Sequence, residues 1–181
     1  MKLLVGIHLN KDAFASPERL KAMDFFISEN FRKDQNTNFL LFEWPLSTKL
    51  LRKLRDSHKQ KENFHSIKPH LNTGEELYFS PIFSDYRKGF FSVLEKIPIK
   101  PGEEIEVIYF GGGATECFKS IFSGMRKEVN EYFKAKKIKA KQRAEPAFMY
   151  ETKNKRVREL IEKHRSNYLK LLNLIRNRAR K

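Results

Sequence analysis

The chain of 181 residues contains one cysteine, Cys117, and it is the side chain best suited to covalent chemistry. Three glycines precede it, Gly111, Gly112 and Gly113, and four apolar residues follow at intervals of four, Ile121, Met125, Val129 and Phe133. That spacing predicts a helix beginning near the cysteine, with Thr115 as its candidate N-cap. A thiol in the first turn of a helix ionises readily because the dipole favours the thiolate. A neighbouring His8 or Lys88 would lower its pKa further and supply a base, making Cys117, Lys88 and His8 the candidate catalytic set. The structural alternative is a capped strand-to-helix turn holding a small buried cysteine.

Such a turn has to be presented by a strand. Val107, Ile108, Tyr109 and Phe110 have the β-branched and aromatic character of one, and the glycines end it. A glycine turn ahead of a helix N-terminus lets an anion approach backbone amides. Upstream, 3–9 form a short apolar strand. Pro17 opens a helix whose apolar face is Leu20, Met23, Phe26, Ile27 and Phe31, and 39–44 form a second strand. Leu50, Leu51 and Leu54 suggest a further helix. This βαβα order predicts an α/β fold with a mostly parallel, three-layer, Rossmann-like sheet and helices on both faces. Further strands are expected at 77–83 and 146–150 and a helix at 86–97, with 58–73 as a long surface connection. In open parallel sheets, ligands bind beyond the carboxyl ends of the strands. Asn10, Glu43, Thr115 and the three glycines should therefore converge as ligand-binding residues.

Two family resemblances run through these segments. TGEEL (73–77), RKG (87–89) and GGATEC (112–117), in that order, resemble the isochorismatase-like cysteine hydrolases. The resemblance implies catalytic lysine and cysteine roles for Lys88 and Cys117, acting on a small amide or ester; the family's aspartate position holds His8. The N-terminal third is similar to the tRNA-dependent cyclodipeptide synthases through GIHLNKDAFAS (6–16), FISENF (26–31) and FLLFEW (39–44). That similarity implies a Rossmann-like fold with affinity for tRNA, and the family's nucleophilic serine position again holds His8.

The formal net charge is +15, and its placement is more informative than its size. Residues 1–133 carry 20 basic and 18 acidic side chains, whereas 134–181 carry 17 and 4. Almost all the excess lies in the C-terminal quarter, which points to a polyanionic partner, either nucleic acid or an acidic membrane surface. Periodicity predicts a long helix from about 152 to 179, with Val157, Ile161, His164, Tyr168, Leu171, Leu172 and Ile175 along one side. Lys153, Lys155, Arg156, Arg158, Lys163, Arg165, Lys170, Arg176, Arg178 and Arg180 surround that stripe as candidate nucleic-acid contacts, RNA or tRNA being the expected partner. The expected organisation is an α/β domain over 1–151 with the basic helix, 152–181, packed on it. A cysteine hydrolase and a noncatalytic assembly protein are the competing functions.

A lone cysteine excludes an internal disulfide and a multi-cysteine zinc site. His58, His65 and His70 are loosely spaced without an acidic cluster, so neither a metal nor a cofactor is expected. The apolar start of the chain is too short for a signal peptide, and no run reaches membrane-spanning length. A cytoplasmic location is the expectation.

Overall fold

The computed structural model describes residues 1–7, 17–42, 63–67, 79–112, 117–149 and 155–178; within its helices the side chains of 17–20, 79–85, 117, 171–172 and 174–178 lie outside the description. The strands are β1 (Lys2–Ile7), β2 (Asn38–Phe42), β3 (Phe64–Ile67), β4 (Glu104–Gly111) and β5 (Lys139–Ala144). The helices are α1 (Pro17–Lys33), α2 (Phe79–Leu94), α3 (Cys117–Ala135) and α4 (Lys155–Arg178). All five strands are parallel, in the spatial order β3-β2-β1-β4-β5, a three-layer Rossmann-like α/β arrangement. The chain builds outward from β1 to β3 and then returns to the other side of β1. The strand order therefore reverses between β1 and β4, where Ile7 is in register with Gly111.

Alternation along the central strands sends side chains to two separate cores. Leu3, Val5 and Ile7 of β1 and Val107 and Tyr109 of β4 face α2 and α3, meeting Tyr86, Phe90, Ile121, Met125, Val129 and Phe133. Leu4, Ile108 and Phe110 face the opposite way, onto Met23, Phe26 and Ile27 of α1 and onto Tyr168 and Leu169 of α4. Both faces being covered explains why β1, β2 and β4 read as nearly continuous apolar runs. Phe26 anchors the second core, packing on Phe110, Phe148 and Tyr168 with ring centroids 5.3, 5.1 and 5.8 Å away.

Three expected elements are corrected. The aromatic segment expected as a strand at 77–83 instead contributes to α2, which starts at Phe79 and runs further upstream than the expected 86–97. Pro81 falls within the first turn, where a helix needs no amide donor, so it does not obstruct the helix. The missing strand, β3, lies inside the stretch expected to be surface connection, short and paired only with β2 among the described residues. At the far edge, β5 occupies the basic run rather than 146–150. Pro146 instead opens a single 3-10 turn, capped by the Glu145 side chain, which accepts the Ala147 amide at 3.4 Å. The helix expected around Leu50, Leu51 and Leu54 lies outside the described residues.

Candidate functional site

At the mouth of the sheet, β4 ends in two glycines with left-handed backbone, Gly111 (φ +83°) and Gly112 (φ +64°). A Cβ at Gly112 would stand 3.0 Å from Ile7 Cγ2 and 3.2 Å from the Phe118 amide nitrogen. The turn thus runs tight against the end of β1 and the first turn of α3, whose opening amides lack intrahelical partners. Cys117 is the first residue of α3, as the spacing predicts, and its side chain lies outside the description. His8, Asn10, Glu43, Gly113 and Thr115 lie outside the described residues.

The RKG segment is mid-helix, in α2. Arg87 donates from Nε to Glu128 of α3 and ties the two helices together. Lys88 is exposed on the same turn. Gly89 lies against β3, where a Cβ would meet Ile67 Cγ2 at 2.5 Å. Two of the three residues therefore serve helix packing.

The C-terminal helix brings together more of the expected site. Ile161 of α4 is 1% exposed, and Val157, His164 and Tyr168 are half-buried along the same side. Lys155, Arg156, Arg158, Lys163 and Lys170 are exposed on the remaining faces. Arg165 departs from expectation. It is 6% exposed and turns inward, donating to the Met149 carbonyl at 3.2 Å and to Glu162 at 2.6 Å, so it docks the helix. Arg176 and Arg178 belong to α4 with side chains outside the description, as are Lys153 and Arg180 altogether.

Beneath α4 lies a charged network that composition alone did not reveal. The carboxylate of Glu145 is buried; Arg143 Nη1 donates to it at 3.2 Å and the Tyr168 hydroxyl at 3.4 Å, and His164 Nδ1 stands 3.8 Å away. Arg143 Nε also donates to Glu106 at 2.7 Å. Burial opposes the charge of Arg143, but Glu106 and Glu145 more than offset it and hold the guanidinium above its usual range. Burial, together with the Glu145 charge, pushes the Tyr168 hydroxyl up, so it stays protonated as a donor. On the other core, burial raises the Tyr109 hydroxyl, which donates to Gln142 at 2.8 Å. Gln142 in turn donates to the Arg126 carbonyl and to Asn130, locking β5 to α3.

The strand β5 adds basic residues at the far end of the sheet order. Lys139 and Lys141 are exposed at alternate positions; Lys134 lies in the last turn of α3, and in the turn that follows Lys137 is exposed while Lys136 pairs with Glu95 at 2.8 Å. The period-two pattern of KAKQRA was the available signal, masked by its low hydrophobicity. Among the described residues no group of three or more His, Cys, Asp or Glu side chains could hold a metal, and no helix is long and apolar enough to cross a membrane. No protein-family model matches the chain, and neither curated proteins nor solved structures give a match.

Proposed function

We propose that this protein binds RNA or tRNA through the exposed basic faces of α4. The observation that carries this reading is the division of that helix. Val157, Ile161, Tyr168, Leu169 and Arg165 are used in docking, whereas five described cations, Lys155, Arg156, Arg158, Lys163 and Lys170, are exposed along four turns. A rise of about 1.5 Å per residue spreads these cations over roughly 22 Å, enough to follow a phosphate backbone. Lys139 and Lys141 of β5 add two further exposed cations. Arginine also stacks on unpaired bases, which suits single-stranded or looped RNA. The glycine turn at the sheet mouth is the accompanying pocket for a phosphorylated group.

The test is binding of fluorescently labelled bulk tRNA by the wild type and by a Lys155→Glu, Arg156→Glu, Lys163→Glu variant. Because all three side chains are exposed, folding should be retained, and affinity should fall by well over tenfold. Unchanged affinity would reject the reading.

A second reading rests on the position of Cys117 at the first residue of α3. A thiolate favoured there would support a cysteine hydrolase of small amides or esters, assisted by Lys88 or His8. Rapid, saturable alkylation of the native protein at neutral pH supports this chemistry; a thiol that reacts only after denaturation rejects it.

A further inference from the structure

A second site lies at the opposite end of the sheet from the glycine turn. Lys2 opens β1 and Ile7 closes it, so the two locations are about 17 Å apart along the strand. Here the C-terminal half of α1, the middle of α4 and the strands beneath them enclose a cavity of about 360 Å³. That volume is within the range of small-molecule sites. The lining is aromatic at Phe25, Phe26 and Tyr168, of which Phe26 is nearly buried, and basic at Lys2, Arg32, Lys33 and Arg143. Four cations thus face the cavity against a single lining carboxylate, Glu29. The carboxylates that balance Lys2 and Arg143, Glu106 and Glu145, are not part of the lining.

The position of Glu29 is informative. Arg32 donates to it through Nε at 2.8 Å and Nη2 at 2.7 Å, and Lys33 Nζ lies 3.9 Å away. The hydrogen bonds from Arg32 hold the Glu29 carboxyl below its usual range. An anionic group therefore already occupies the forked guanidinium at the cavity rim, in the bidentate geometry that also suits a phosphate. Arg32 and Glu29 are both on the surface, so this internal pairing is weak and exchangeable. Lys2 reaches the same space from the sheet, its ammonium held at 3.0 Å from Asn30 Oδ1.

We propose that this cavity binds a nucleoside monophosphate, its base against the partly exposed rings of Phe25 and Tyr168 and its phosphate displacing Glu29 at Arg32, Lys33 and Lys2. The ligand chemistry, a phosphate monoester on a nucleoside, is shared by a free nucleotide and by the 5′ end of an RNA. The site does not depend on the exposed cations of α4, and its failure would leave the RNA reading of that helix intact.

Titration calorimetry with adenosine monophosphate tests the proposal on the full chain. Saturable binding is expected, with adenosine alone and inorganic phosphate alone each much weaker. Arg32→Gln with Lys33→Gln, both at exposed positions, should reduce affinity about tenfold or more, since each removes a charged hydrogen-bond donor. Glu29→Gln should tighten binding several-fold by removing the competing anion, a result that a purely structural role of the Glu29–Arg32 pair does not produce. A 5′-phosphorylated hexanucleotide, compared with its unphosphorylated form, distinguishes the two sources. Preference for the phosphorylated oligomer over adenosine monophosphate assigns the site to RNA ends, and the reverse assigns it to free nucleotide. The Lys155→Glu, Arg156→Glu, Lys163→Glu variant should lose tRNA while retaining adenosine monophosphate. Absence of saturable binding at millimolar nucleotide, or affinity indifferent to Arg32, Lys33 and Glu29, would overturn the proposal.

Discussion

At Gly89 there is room for a hydrogen and little else. A methyl group there would meet Ile67 Cγ2 at 2.5 Å, and both residues belong to packed elements. Gly89→Ala should destabilise the protein by about 1–3 kcal/mol in denaturant unfolding despite the higher helix propensity of alanine. Combining it with Ile67→Ala should cost less than the sum of the two single changes, because the second removes the atoms that clash. The contact gives the glycine of RKG a packing role beside β3. A glycine required by a neighbouring strand carries no local mark in the sequence, and only the placement of β3 shows what Gly89 packs against. Arg165 is a similar case. Its neighbours in the sequence are basic and polar, and nothing local shows that the helix rotates this one guanidinium toward the Met149 carbonyl.

Among the elements, β3 carries a pH dependence. Burial, and secondarily the charge of Lys96, lowers the His65 pKa beneath the ordinary value near 6.5, and Nε2 lies 3.2 Å from Asn38 Oδ1 on the adjoining strand. The folded protein therefore resists protonation of this ring more than the unfolded chain does. Below about pH 6.5 the unfolded state binds the extra proton first, so stability should fall as pH decreases through that window and be independent of His65 above it. Thermal unfolding across pH 5 to 8 should show this slope in the wild type and a flatter profile in His65→Gln. The element level also shows what sequence reading captures. The strands β1, β2 and β4 and the helices α1, α3 and α4 were legible because both sheet faces are covered and each helix has one docked stripe. The two edge strands were not. β3 is four residues long and β5 is mostly charged, so neither carries the hydrophobic run by which central strands are recognised. The start of α2 was missed because its first turns are aromatic and apolar enough to be read as a strand, although Pro81 fits the first turn of a helix better than a strand interior.

For the whole molecule, the sequence showed where the charge lies and not how it is divided between docking and display. Lys163 and Arg165 are two residues apart, yet one is exposed and the other buried. Lys163→Ala should leave the unfolding midpoint nearly unchanged and reduce the salt dependence of single-stranded RNA binding by about 0.7 in log–log slope. Arg165→Ala should do the reverse, costing about 1–3 kcal/mol of stability by leaving a buried carbonyl without its donor while preserving that slope. The glycine turn at the sheet mouth was legible, because left-handed backbone at Gly111 and Gly112 admits few other residues. The cavity beside Lys2 was not, since its walls come from β1, α1, β5 and α4, brought together only by the fold. The same distribution bears on how copies of the chain meet. As the last strand in the sheet order, β5 could extend the sheet into a second molecule, but Lys139 and Lys141 would place ammonium groups against those of the incoming strand. A polyanion that neutralises them removes this repulsion, so crowding on a long nucleic acid would weaken the protein's own barrier to aggregation.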